Sequence, residues 1–147
     1  MNRKTEQLIE WAPLQNWRLI RYWVCENHDL SHSELELLLY LHPIDYFTVE
    51  DFKSGELMMS WDPNRFYSLT KREWIDKVFK NNGRKGGHNR YATSRKFKLL
   101  YNRIHRIISG EEDIPESAAR NVIMKRESYT HKVYSQAIKA FNNKQNN

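Results

Sequence analysis

Residues 62–93 constrain the fold more than any other stretch of the chain. Asp62-Pro63 reads as a helix start: the Asp62 carboxylate can cap free amides, and Pro63 at the first helical position sacrifices no hydrogen bond. The helix runs to about Arg72. Phe66 and Leu69 fall on one face, and Asn64, Arg65, Tyr67, Ser68, Lys71 and Arg72 are left mostly outside. Residues 74–79 then alternate as a strand, with Trp74, Asp76 and Val78 on one side and Ile75, Lys77 and Phe79 on the other. Asn81-Asn82-Gly83-Arg84-Lys85-Gly86-Gly87 is a turn cluster, and Arg90-Tyr91-Ala92-Thr93 is a returning strand. A short capped helix is thus followed at once by a hairpin with a basic tip.

Charge is concentrated around the same stretch. Residues 71–106 hold twelve Lys and Arg against Glu73 and Asp76, a net +10; the whole chain is +6, so the remainder is −4. A basic block on an otherwise acidic chain suggests one face built to meet a polyanion. The 147 residues, 39% apolar and 13% aromatic, suffice for one domain with a real core. Cys25 stands alone, which excludes an internal disulfide and a thiolate zinc cluster within one chain and suits a reducing compartment. No apolar run is long enough to span a bilayer, and residues 1–6 lack an apolar signal core. A cytoplasmic location and no membrane partner are therefore expected.

The rest of the chain reads as helices. Leu14, Trp17, Ile20 and Val24 sit at three-to-four spacing, predicting a first helix over 14–25 after Pro13, with Asn27-His28-Asp29 as a turn. Its apolar content runs nearly all round, as in a helix that is central or shared with a partner chain. Ser31-His32-Ser33-Glu34 has the form of a capping box before a second, interior helix over 34–41, ended by Pro43. Tyr46-Phe47 is a short extended piece. Thr48 opens a third helix, with Phe52, Leu57 and Met58 inward. Residues 94–109 form an amphipathic helix carrying Phe97, Leu100, Tyr101, Ile104, Ile107 and Ile108, and Gly110 stops it. An acidic loop follows over 111–116. A last helix covers 129–141, before a frayed polar tail at 142–147.

This order is the layout of a winged helix-turn-helix. It resembles the MarR (multiple-antibiotic-resistance regulator) family of winged-helix DNA-binding proteins over nearly the whole chain. Ser33-Glu34-Leu35-Glu36-Leu37-Leu38-Leu39-Tyr40-Leu41 is similar to the family's second helix, and Phe47-Thr48-Val49-Glu50-Asp51-Phe52 to the entry of its helix-turn-helix. Leu69-Thr70-Lys71-Arg72-Glu73-Trp74-Ile75 is similar to the exit of its recognition helix. Tyr91-Ala92-Thr93-Ser94-Arg95-Lys96-Phe97-Lys98-Leu99-Leu100 is similar to the exit of its wing. The family usually has glycine at the places of Glu73 and Phe97. Departures of this kind look like those of diverged copies carried by tailed bacteriophages. The resemblance implies a homodimer joined through its terminal helices, with Leu14, Trp17, Val24, Val133, Ile138 and Phe141 at the interface.

Each site has a plainer competitor. The outer face of the fourth helix could be only a solvated surface, but its helix-turn order beside a basic hairpin favours a major groove. Asn64, Arg65 and Ser68 would then lie near base edges, with Tyr67, Lys71 and Arg72 on phosphates. Arg84, Lys85, His88 and Arg90 at the hairpin would track phosphates or enter a narrow minor groove; a loop with solubilising charge is the alternative. Lys96, Arg103 and Arg106 read mainly as the wet stripe of an amphipathic helix. His28 and His32 are four apart, but the turn between them disfavours a metal pair. Cys25 reads as packing rather than a reactive thiol. No Ser/His/Asp order, phosphate loop or paired-acid motif appears, so no enzyme and no cofactor are expected.

The chain is thus expected to be mainly α with a small β-wing. Residues 1–30 form an N-terminal helical dimerisation segment, 31–110 the winged helix-turn-helix, and 111–141 the acidic loop with a second dimerisation helix. The expected function is sequence-specific binding of double-stranded DNA as a transcriptional regulator. The alternative is the same fold docking on acidic protein surfaces, such as a polymerase subunit or a virion component.

Overall fold

A computed structural model describes residues 13–56, 62–79 and 89–145. The fold is mainly helical, with one two-stranded antiparallel sheet. The chain divides into two compact units, one of Ser31–Asn102 and the other of the residues before and after that span.

In the Ser31–Asn102 unit, α2 (His32–Leu41) follows the first helix, α1 (Trp17–His28), after a short turn. Its capping box is complete: the Glu34 amide donates to Ser31 Oγ at 3.1 Å, and the Ser31 amide donates to Glu34 Oε1 at 2.9 Å. Leu35, Leu37, Leu38 and Leu41 are fully buried, each contributing roughly 2 kcal/mol of hydrophobic stabilisation. The helix stops just short of Pro43, which has no amide hydrogen to continue the ladder, while His42 before it keeps helical φ −56° and ψ −42° as the C-cap. Phe47 then forms an isolated antiparallel bridge with Tyr91. Thr48 and Asp51 cap each other at the start of α3 (Val49–Glu56), which buries Phe52. The expected inward positions Leu57 and Met58 lie outside the described residues.

Asp62 caps α4 (Pro63–Lys71) by accepting from the Asn64 amide at 3.0 Å. The helix ends in a Schellman motif: the Glu73 amide donates to the Thr70 carbonyl and the Trp74 amide to the Leu69 carbonyl. The buried side chains of Leu69 and Trp74 flank that turn. Glu73 takes φ 66°, the left-handed conformation that favours glycine, and stands where the family pattern has one. A Cβ there costs about 1–2 kcal/mol, partly offset because glycine loses more chain entropy on folding. Glu73→Gly is expected to stabilise the fold by about 0.5–1 kcal/mol, read as a higher urea midpoint at constant slope.

Trp74 therefore belongs to the helix cap, and β1 (Ile75–Phe79) starts one residue later than its alternation suggests. It pairs with β2 (Arg90–Thr93), Ile75 opposite Thr93 and Lys77 opposite Tyr91. Burial does not alternate: Trp74 and Ile75 are both buried, while Val78 and Phe79 are 50% and 57% exposed. The register shifts between Lys77 and Phe79, so a bulge re-aims the end of the strand. Ser94 caps α5 (Arg95–Ile108) by accepting from the Phe97 amide at 3.2 Å. Phe97 is fully buried and meets Trp74 nearly edge-on, with ring centroids 6.4 Å apart. The unit boundary, at Asn102 and Arg103, falls inside α5.

In the other unit, a 3-10 turn at Pro13–Asn16 leads into α1, which runs to His28 instead of stopping near 25. Asn27 reads locally as a turn residue, but its side chain is committed elsewhere. It donates to the Trp23 carbonyl and to Asn121 Oδ1, and accepts from the Val122 amide, all at 2.9 Å. Buried Asn121 also holds the Pro115 carbonyl at 2.8 Å, next to a 3-10 turn at Val122–Lys125 that periodicity does not reveal. Gly110, at φ 84°, ends α5. The final helix, α6 (Tyr129–Gln145), extends past Phe141 into residues that read as a frayed tail. The reason is Asn142: it is buried, and its amide brackets Ile114 through both backbone groups.

Candidate nucleic-acid interface

The polar face of α4 is the most ordered candidate. With Leu69 inward and Phe66 half-buried against Phe52 and Tyr91, the helix turns Asn64, Tyr67 and Lys71 outward, with Arg65 and Ser68 half-exposed beside them. Asn64, Ser68 and Lys71 recur at helical spacing and so form one stripe. Lys71 Nζ lies 6.0 Å from the Tyr67 ring centre. The Schellman cap carries this helix straight into β1, where Lys77 is exposed 6.0 Å over Tyr91. Arg90, exposed at the start of β2, reaches the Tyr46 carbonyl at 3.5 Å. Arg84, Lys85 and His88 lie outside the described residues.

Several cations of the basic block are engaged by other groups of the chain, Lys96 and Arg106 while still exposed. Arg72 forms an ion pair with Glu34, and its Nε donates to Ser68 Oγ at 3.1 Å. Lys96 donates to the Arg72 carbonyl at 3.2 Å, with its ammonium 3.9 Å from the Trp74 ring centre. Arg103 and Arg106 both grip Glu112, at 2.8 and 2.9 Å. Part of the apparent +10 is therefore structural. Lys77, Arg95 and Lys98 remain exposed, and only their membership of the basic block marks them in the sequence.

The Glu112 fork has a pH consequence. Partial burial pushes its carboxyl up, but hydrogen bonds from Arg106 and Arg103, together with their charges, outweigh this and hold it below its ordinary 4.5. A depressed carboxylate adds stability that is present above its unfolded value and lost as pH falls through its folded one. Glu112→Gln is expected to destabilise the protein at neutral pH and to flatten the loss of stability below about pH 4.5. Thermal melts across pH 3–7, at the order of one melt per half unit, check both limbs.

The residues assigned to a dimer interface divide into two groups. Leu14 is 81% exposed and Val133 45% exposed, while Trp17 is half-buried. Val24, Ile138 and Phe141 are buried in the chain's own core, because α1 and α6 pack together; Tyr22 stacks on Tyr134 with centroids 3.8 Å apart. Burial, then the Glu26 and Tyr134 charges, push the Tyr22 phenol above its ordinary 10.0. His131 meets Glu26 at 3.1 Å beside it, a contact across 105 positions that no local pattern signals.

Cys25 is buried. His28 ends α1 and His32 opens α2. Among the described residues, no group of three or more His, Cys, Asp or Glu is arranged to hold a metal, and no helix is long and apolar enough to cross a membrane. No family model matches the chain, and no curated protein or solved structure matches it either.

Proposed function

We propose that this chain is a winged helix-turn-helix protein of MarR-like type that binds double-stranded DNA sequence-specifically and regulates transcription as a homodimer in the cytoplasm. It has no catalytic step of its own on this reading, and tailed phages are a fitting source. One observation carries the proposal: α4 presents Asn64, Arg65, Ser68 and Lys71 together and is fixed to a following hairpin by a Schellman cap. Arg65 is suited to guanine and Asn64 to adenine through paired hydrogen bonds. Lys71, Lys77 and Arg90 supply phosphate contacts, joined by Arg84, Lys85 and His88 from the sequence between the two strands. Arg72 acts from within. The exposed Leu14 and Val133, with Trp17, serve the dimer, while Val24, Ile138 and Phe141 support it from the core. A two-fold dimer calls for half-sites about one helical turn apart.

The test is binding to random duplex and to genomic fragments across a salt series, with light scattering for mass. Preference for some fragments, by a dimer, with a log–log salt slope of about −0.9 per neutralised phosphate, supports the proposal. No duplex binding at low salt overturns it.

A second reading has one observation in its favour. Tyr46, Val78 and Phe79 line an apolar groove bordered by Asp45 and Arg90, a surface suited to a largely apolar protein partner. Unlabelled duplex displaces a DNA-binding chain from its target and leaves a protein-docked one in place.

A further inference from the structure

Arg72 sits at the end of α4 as an obvious phosphate ligand, yet it is engaged from three directions. Its guanidinium pairs with Glu34 on α2, its Nε donates to Ser68 Oγ, and its carbonyl accepts from Lys96 on α5. Glu34 is itself divided: Oε1 takes the Ser31 amide of the capping box, and Oε2 takes Arg72. Trp74, two residues past Arg72, has Lys96 over its face. The side chains are 29% and 14% exposed for Arg72 and Glu34, so their attraction is less screened than that of a surface pair. The result is a clamp from the first turn of α2 through the last turn of α4 to the first turn of α5, all within one unit.

We propose that Glu34 is a specificity-determining positioning residue: by holding Arg72 in an internal ion pair, it makes that arginine orient α4 instead of joining its phosphate contacts. This rests on the reading of α4 as a duplex-facing helix. The physical logic is one of differences. A phosphate contact strengthens binding to every sequence alike, whereas base contacts separate one sequence from another. Glu34 withholds one indiscriminate contact and converts its cation into a fixed strut. The same strut biases Ser68. Its oxygen already accepts from Arg72, so toward a duplex its hydroxyl acts as a donor, to acceptors such as purine N7, thymine O4 or a phosphate oxygen.

Two variants of the full chain test this. Glu34→Gln keeps the α2 cap, because glutamine also serves at that position of a capping box, but removes the charge that holds Arg72. Its salt slope on random duplex should steepen by about 0.9, tightening that binding roughly eightfold at 0.1 M salt, while preference among fragments falls. Arg72→Met should lower preference as well, yet leave the slope on random duplex as in the unaltered chain. A merely structural role moves neither slope nor preference once circular dichroism shows both variants folded. Unchanged slope and preference in Glu34→Gln overturn the inference. So does a slope shallower by about 0.9 in Arg72→Met, since Arg72 would then already contact phosphate. If the unaltered chain binds no duplex at all, the proposed function falls and this inference with it; the two failures are thus distinguishable.

Discussion

Asn142→Ala should destabilise the protein by about 3 kcal/mol, the largest stability effect predicted for a single polar side chain here. Asn142 is 2% exposed. It accepts from the Ile114 amide at 3.0 Å, and donates to the Ile114 carbonyl at 2.8 Å and to Glu116 at 3.0 Å. Ile114 is itself buried, so truncation strands a backbone donor and a backbone acceptor away from water. Each stranded group costs about 1–3 kcal/mol, against a total stability of roughly 5–15. Urea denaturation followed by far-ultraviolet circular dichroism should show the midpoint falling by more than about 1 M. Asn143→Ala, at an exposed neighbour in the same turn, should stay within about 0.5 kcal/mol. Equal midpoints for the two variants would remove the bracket on Ile114 as a source of stability.

Arg65→Ala combined with Lys71→Ala should weaken binding to a preferred duplex by about 100-fold or more, in two separable ways. Loss of Arg65 costs about 1–3 kcal/mol at one base position and relaxes specificity there. Loss of Lys71 weakens all sequences alike and makes the salt slope shallower by about 0.9. Selection of bound fragments by each single variant separates the effects. Affinity that survives both changes shows that α4 is not the face meeting DNA. Neither side chain is in the core, so the melting temperature should move little.

Local chemistry was legible in the sequence wherever a structural choice is settled within four residues. Ser31 with Glu34, Thr48 with Asp51, and Asp62 with Pro63 each announce a helix start, because cap partners are always three or fewer positions apart. The returning strand at Arg90–Thr93 is equally plain between its turn cluster and Ser94. What escaped is long-range. Asn27 and Asn142 look like turn and tail residues until buried partners 94 and 28 positions away are known. Arg72 looks like a surface cation until Glu34, 38 positions earlier, is found beside it. Glu73 hides a left-handed backbone behind a residue type that rarely signals one. For the candidate site the lesson is similar. Counting charge identifies the region, but only the folded contacts separate the cations engaged by the chain's own groups, such as Lys96, Arg103 and Arg106, from the rest.

The ammonium of Lys96 over the buried Trp74 indole also makes the clamp optically readable. Indole emission depends on the field across the ring, and a cation held at one face contributes a large, fixed part of it. Any event that loosens the strut at the end of α4 moves that charge and changes the colour of Trp74 fluorescence. The protein therefore carries an internal chromophore one step from its candidate reading helix; with four other Trp in the chain, its signal is the difference in emission between the unaltered chain and Trp74→Phe.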